Sequence, residues 1–144
     1  MHATSVALKS PGRPWQAVLL RGPSGAGKSD LALRLIDAGG RLIADDQTHL
    51  ERKGHVLVAS APAAIAGRME VRGIGIVRLP RAKLIARAPV ALLVDLVEPV
   101  QVERMPEPAQ EMQDEVGLPL LALAPFEASA VAKLHLALQR IAAA

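Results

Sequence analysis

The spacing of apolar residues changes period several times along this chain, and each change marks the edge of an element. Ala17 to Leu20 is a short apolar run ending at a glycine-rich turn, the pattern of a buried strand. From Lys28 the period becomes helical: Leu31, Leu35 and Ile36 share one face, and Gly39-Gly40 would end the helix. Leu42-Ile43-Ala44 predicts a second apolar strand, cut off by Asp45-Asp46. Gln47 to Ala59 reads as a hairpin turning near Lys53-Gly54, with Val56 and Val58 on one face of its second strand. A single helical turn is expected after Pro62. It is followed by Met69 to Ile76, where Gly73 and Gly75 mark a place at which the backbone turns or approaches a neighbour closely. Val90 to Val97 predicts a late strand, and residues 98–117, rich in Pro, Glu and Gln, predict a surface loop. Leu118 to Ala124 is expected to be a last strand. Glu127 to Ala143 has helical composition, with Val131, Leu134, Leu138 and Ile141 on a shared face. No internal repeat is present. The order of strand, loop, helix and strand predicts one α/β domain over residues 1–144, decorated by an antiparallel hairpin.

Composition narrows the function classes. A chain of 144 residues is long enough to bury a core, and at 51% apolar with one Trp, one Phe and no Tyr, that core must be built from Leu, Val, Ile and Ala. So few aromatics leave no stacking platform for single-stranded nucleic acid, and nucleic acid is not expected as a partner. The absence of Cys excludes disulfides, thiolate zinc sites and cysteine nucleophiles. No basic stretch followed by an apolar run opens the chain, and runs such as Val90 to Val94 are too short to span a bilayer. The expected protein is soluble and cytoplasmic. The net charge of +3 is modest and its Arg residues are scattered.

The chemistry concentrates in one octapeptide. Gly22-Pro23-Ser24-Gly25-Ala26-Gly27-Lys28-Ser29 matches the phosphate-loop pattern G-x-x-x-x-G-K-S and lies between a predicted strand and a predicted helix, the context that the motif requires. Its glycines let the loop curl until backbone N–H groups converge on one phosphate, and the helix beyond adds its positive end. Lys28 brings a full positive charge to the outer phosphates of ATP, and Ser29 offers a hydroxyl to Mg2+. Asp45-Asp46 closes the second strand. A carboxylate at such a strand tip can hold magnesium through water or accept the proton of an attacking hydroxyl. Glu70 and Arg72 flank Val71, so an extended backbone would point both to one face. There, a carboxylate could complete a magnesium shell and a guanidinium could neutralise a transferred phosphoryl group. His2, His49, His55 and His135 show no metal-ligand spacing.

Three stretches together are more specific than the phosphate loop: G-P-S-G-A-G-K-S-D (22–30), L-I-A-D-D (42–46) and M-E-V-R-G-I-G-I-V (69–77). In this order and near this spacing they resemble the C-terminal catalytic domain of the bacterial HPr kinase/phosphorylase family. The form is similar to the short proteobacterial one that lacks the N-terminal domain. The resemblance implies a P-loop fold of the HPr kinase/PEP carboxykinase-like type, with a central mixed sheet, flanking helices and a hairpin. It implies an ATP- and magnesium-dependent kinase acting on a serine of HPr, the phosphocarrier of the sugar phosphotransferase system. Asp46 then resembles the general base and Lys28 the P-loop lysine, with Ser29 and Glu70 as the magnesium ligands. His2 falls where the family has a His opening the strand hairpin that leads into the phosphate loop. Arg104 resembles a family active-site Arg in a similar acidic context, and a hexamer is the implied assembly.

Where the family carries a basic Pro-Gly-Arg-Asn loop linked to dephosphorylation, this chain reads Ala124-Pro125-Phe126-Glu127-Ala128-Ser129. The kinase direction is therefore the one expected. Two other readings compete: a P-loop kinase for a small-molecule hydroxyl, which the lack of an Arg-rich lid disfavours, and an ATP-binding regulator that transfers no phosphate, which would not need a carboxylate base at Asp46.

Overall fold

Strands with apolar residues on both faces form the middle layer of the protein. In β2 (Gln16–Arg21), Val18 and Leu20 pack into one core while Ala17 and Leu19 pack into another on the opposite side of the sheet. Such two-sided burial is the signature of a central strand covered on both faces. The computed structural model describes residues 1–143. Its main sheet runs in the order β3-β1-β2-β8-β10-β9, with β1 spanning Thr4–Leu8, β3 Arg41–Ala44, β8 Arg87–Leu96, β9 Ala109–Gln113 and β10 Val116–Leu123. Among these, β2, β8 and β10 run parallel, and β1 runs antiparallel to both β2 and β3. The sheet is thus mixed.

Both helices lie on one face. α1 (Lys28–Asp37) buries Leu31, Ala32, Leu35 and Ile36, the stripe that its helical spacing predicted, against Val6, Leu8 and Leu20. α2 (Ala130–Ala143) adds Leu134 and Leu138 to the same core, with Val131 and Ile141 at its margin. The opposite face is covered by the hairpin of β4 (His49–Lys53) and β5 (Val56–Ser60), which contributes Leu57 and Ala59. Here β5 pairs with the start of β8 at Arg87 to Pro89, so one long strand serves three neighbours, β5, β2 and β10. The glycine-rich segment forms a separate hairpin, β6 (Arg68–Val71) with β7 (Gly75–Arg78). No helix among the described residues is long and apolar enough to cross a membrane.

One expectation is corrected. Residues 98–117 are not simply a loop: Pro99–Gln101 is a 3-10 turn, and Ala109–Gln113 is a strand paired antiparallel to β10, which itself begins at Val116 rather than at Leu118. The β9 sequence Ala-Gln-Glu-Met-Gln has no apolar alternation because an edge strand packs little on either face. Its ladder to β10 and a side-chain ion cluster hold it in place.

This topology gathers the chemistry at one end. The strands β2, β3, β8 and β10 all point the same way, so the turn after each opens at the same edge of the sheet. β1 runs the other way and therefore begins there, bringing His2 and Thr4 to the same edge. In open α/β sheets, ligands gather at such strand tips.

Candidate phosphate-binding and catalytic site

The glycine-rich loop has the form that its sequence predicts. β2 ends at Arg21, residues 22–27 curl back, and α1 begins at Lys28. Gly27 sits at φ 100, a left-handed conformation that a side chain would strain, and a Cβ there would come 2.8 Å from the ring of Phe126. Gly22 is closed to a side chain by Ala26, whose Cβ would lie at 2.9 Å. Lys28 is almost fully buried, and its ammonium donates to the carbonyls of Gly22 at 2.7 Å and Pro23 at 3.2 Å. An ammonium has three protons, so the lysine ties the loop into shape and keeps one donor for another acceptor.

The Asp pair diverges. Asp46 adopts φ 66, which Asp tolerates better than most residues, and the turn sends the two carboxylates to different partners. Asp45 Oδ1 accepts the Ser29 hydroxyl at 2.7 Å and the Thr4 hydroxyl at 3.2 Å, while its Oδ2 accepts the backbone N–H of Glu70 at 2.9 Å. Asp46 Oδ1 instead accepts from His2 Nε2 at 2.7 Å, both side chains being more than half exposed. Thr4, fully buried, also accepts the Asp46 backbone N–H at 3.0 Å through its hydroxyl. This one threonine thereby fixes both members of the pair.

Ser29, Lys28, Asp45, Asp46 and His2 are thus brought together with the whole loop 22–29, and Glu70 joins them through its backbone. Glu70 itself is an exposed residue of β6. β6 ends at Val71, so Glu70 lies in the strand and Arg72 in the turn just beyond it. Arg72 occupies the exposed turn before Gly75, and Arg104 is exposed in the segment before β9. Among the described residues neither makes a hydrogen bond or ion pair with the site. No three His, Asp or Glu side chains converge as a ready metal cluster among the described residues.

Sequence reasoning missed Thr4 and a cluster at the root of the loop. Arg21, the residue before Gly22, grips Asp95 of β8 through Nε at 2.7 Å and Nη2 at 3.1 Å. It also grips Glu111 of β9 at 2.6 and 2.8 Å, and Gln113 donates a further bond to Glu111 at 2.7 Å. Arg21 and Asp95 are direct cross-strand neighbours, a pairing that no local pattern announces. The Arg21 guanidinium and the Gln113 amide hold the Glu111 carboxyl down at about 2, against an ordinary 4.5. The contribution of this ion pair to stability is therefore fully present above pH 4.5 and is lost as pH falls toward 2. Glu111→Gln is expected to lower the unfolding free energy at pH 7 by about 1 kcal/mol, the scale of a partly solvent-screened pair. In urea titrations the gap between variant and wild type should close between pH 4.5 and 2, and a gap that persists at pH 2 would contradict the assignment.

A mixed sheet, two helices on one face and a glycine-rich loop at the parallel strand tips define the class: an α/β domain built on a central mixed sheet. The chain belongs to the HPr Serine kinase C-terminal domain family, whose model matches residues 15–118. It is 44% identical over 78 residues to the HPr kinase/phosphorylase of an Exiguobacterium strain, covering 54% of this chain and 24% of that protein. It is 46% identical over 63 residues to the Clostridium acetobutylicum HPr kinase/phosphorylase, covering 44% of this chain and 21% of that one. The chain thus spans under a quarter of the length of these curated relatives. The solved structure of the Hpr(Ser) kinase/phosphatase from Coxiella burnetii shares the fold, with a TM-score of 0.79 over 99% of this chain and 94% of that one, at 24% identity.

Proposed function

We propose that this domain is an ATP-dependent kinase that transfers the γ-phosphoryl group to a seryl hydroxyl of the phosphocarrier HPr. The observation that carries the reading is the convergence on one loop of a phosphate cradle, the Ser29–Asp45 pair and the Asp46–His2 pair. A cradle alone would suit any nucleotide binder; a separately oriented carboxylate beside it suits transfer to a hydroxyl.

The residues fit a magnesium–ATP complex. Ser29 donates its proton to Asp45, which leaves its oxygen lone pairs free to face a cation. Asp45 would hold a magnesium-bound water, and Glu70, whose backbone is anchored to Asp45, would bring a second carboxylate. The metal held by these residues would supply positive charge against that of the phosphates. Lys28 and the N–H groups at the start of α1 hold the β- and γ-phosphates. Asp46 accepts the seryl proton as the new O–P bond forms and the bond from the γ-phosphorus to the ADP oxygen breaks. His2 orients the Asp46 carboxylate by donating to its Oδ1. Arg72, on the hairpin tip, would neutralise charge on the transferred phosphoryl group, with Arg104 as a second active-site arginine. The family makes a hexamer the expected assembly and the cytoplasm the expected location.

Incubation with labelled ATP, magnesium and purified HPr tests this directly. Phosphoserine on HPr is the expected result. Tight ATP binding without transfer would instead favour a regulator, and transfer to a small hydroxyl compound alone would favour a metabolite kinase.

A further inference from the structure

The phosphate loop borders a cleft of about 550 Å³ that the reaction scheme above leaves unused. Its walls are the loop from Pro23 to Ala26, the turn after β8 from Leu96 to Gln101, and the segment after β10 from Ala124 to Glu127. Two observations say what kind of group it suits. Its lining contains Leu96, Val97, Pro99, Pro125 and Phe126 but, among the described residues, no Lys or Arg, while Glu98 and Glu127 contribute carboxylates. A second phosphate would be repelled there, and a neutral, flat, apolar group would not.

Phe126 is the other observation. It is the chain's only Phe, and it is 70% exposed. Single exposed apolar residues are ordinary on protein surfaces. This one is anchored: one edge of its ring rests on Gly27 inside the phosphate loop, in space that any side chain there would fill. The segment that carries it is tied to α1 by a hydrogen bond from the Arg34 guanidinium to the Pro125 carbonyl. The ring is therefore held at the seam between phosphate cradle and cleft, with most of its surface open to solvent.

We infer that Phe126 is the platform on which the aromatic base of the nucleoside triphosphate stacks, with the cleft housing base and ribose. This rests on the nucleotide reading of the loop and specifies how the rest of the molecule is held. Stacking recognises the face of a ring system and not its hydrogen-bonding edge, so adenine and guanine nucleotides should benefit alike.

Calorimetry with ATP, GTP and inorganic tripolyphosphate, each with magnesium, tests the inference on wild type, Phe126→Ala, Phe126→Leu and Phe126→Trp. Loss of a base–aromatic stack is expected to weaken ATP and GTP binding about tenfold in the Ala and Leu variants. Tripolyphosphate affinity should stay unchanged in all, and Trp should restore nucleotide binding. Leu keeps apolar bulk over Gly27, so it separates stacking from support of the loop if the Ala variant folds poorly. Unchanged ATP affinity in Phe126→Leu would overturn the inference, as would a parallel loss of tripolyphosphate binding. Wild type that binds tripolyphosphate as tightly as ATP would overturn it while sparing the phosphate loop. Wild type that binds neither would overturn the nucleotide reading itself and this inference with it.

Discussion

Asp46→Asn is expected to reduce phosphoryl transfer to HPr roughly 100- to 10,000-fold, the range for removal of a positioned general base. The substitution is a clean probe. Asn is isosteric and equally at ease at φ 66, so the turn should survive, and its amide oxygen can still accept from His2. Nucleotide affinity should fall far less, because the proposed phosphate contacts come from Lys28 and backbone N–H groups. Asp45→Asn should behave differently. Asp45 bonds the Ser29 hydroxyl and not His2, so its loss should appear first as a raised magnesium requirement. Rates of phosphoserine formation at saturating ATP across a magnesium series separate the two. Near-normal transfer by Asp46→Asn together with total loss in Asp45→Asn at saturating magnesium would exchange their roles. If neither change matters, the domain is not the proposed kinase.

Lys28→Ala should lower turnover about 100- to 1,000-fold, the effect of deleting one preorganised charge at the phosphoryl group. Two losses combine in this variant. The charge-assisted contact to the outer phosphates disappears, and so do the bonds to the Gly22 and Pro23 carbonyls that shape the loop. Lys28→Arg is expected to rescue little, since the residue is buried and a guanidinium cannot reproduce the fit of a compact ammonium. Calorimetry with tripolyphosphate and phosphotransfer assays on both variants provide the check. Wild-type affinity and rate in Lys28→Ala would remove the phosphate-loop assignment.

The glycine-rich loop between β2 and α1 was legible because its information is local. Six residues between an apolar strand and an amphipathic helix determine how the backbone can curl, and the glycines that this requires are written in order. The core was legible for the same reason: Leu31, Leu35 and Ile36 face inward at the spacing that marked them, as do Leu134 and Leu138. The Asp pair announced itself by ending a strand. Yet the division of labour within it did not, because Thr4, Ser29 and His2 choose the direction of each carboxylate. Of these, His2 is 44 positions from Asp46 in the chain. Glu70 closes on Asp45 through its backbone N–H, a bond across 25 positions that its own stretch of chain does not announce.

β9 marks the limit most clearly. Its residues lack a period because an edge strand buries little, and what holds it is the ladder to β10 and an Arg21–Glu111 grip across 90 positions of sequence. By itself, then, the sequence determined the glycine-rich loop between strand and helix and the strands and helices that bury apolar stripes. Only the tertiary structure decided which carboxylate meets Ser29 and which meets His2, that Arg21 anchors the loop to two other strands, and that Phe126 lies against Gly27. Periodicity records what one element buries, whereas hydrogen bonds and ion pairs between distant strands depend on register and strand direction, which no single stretch of chain encodes.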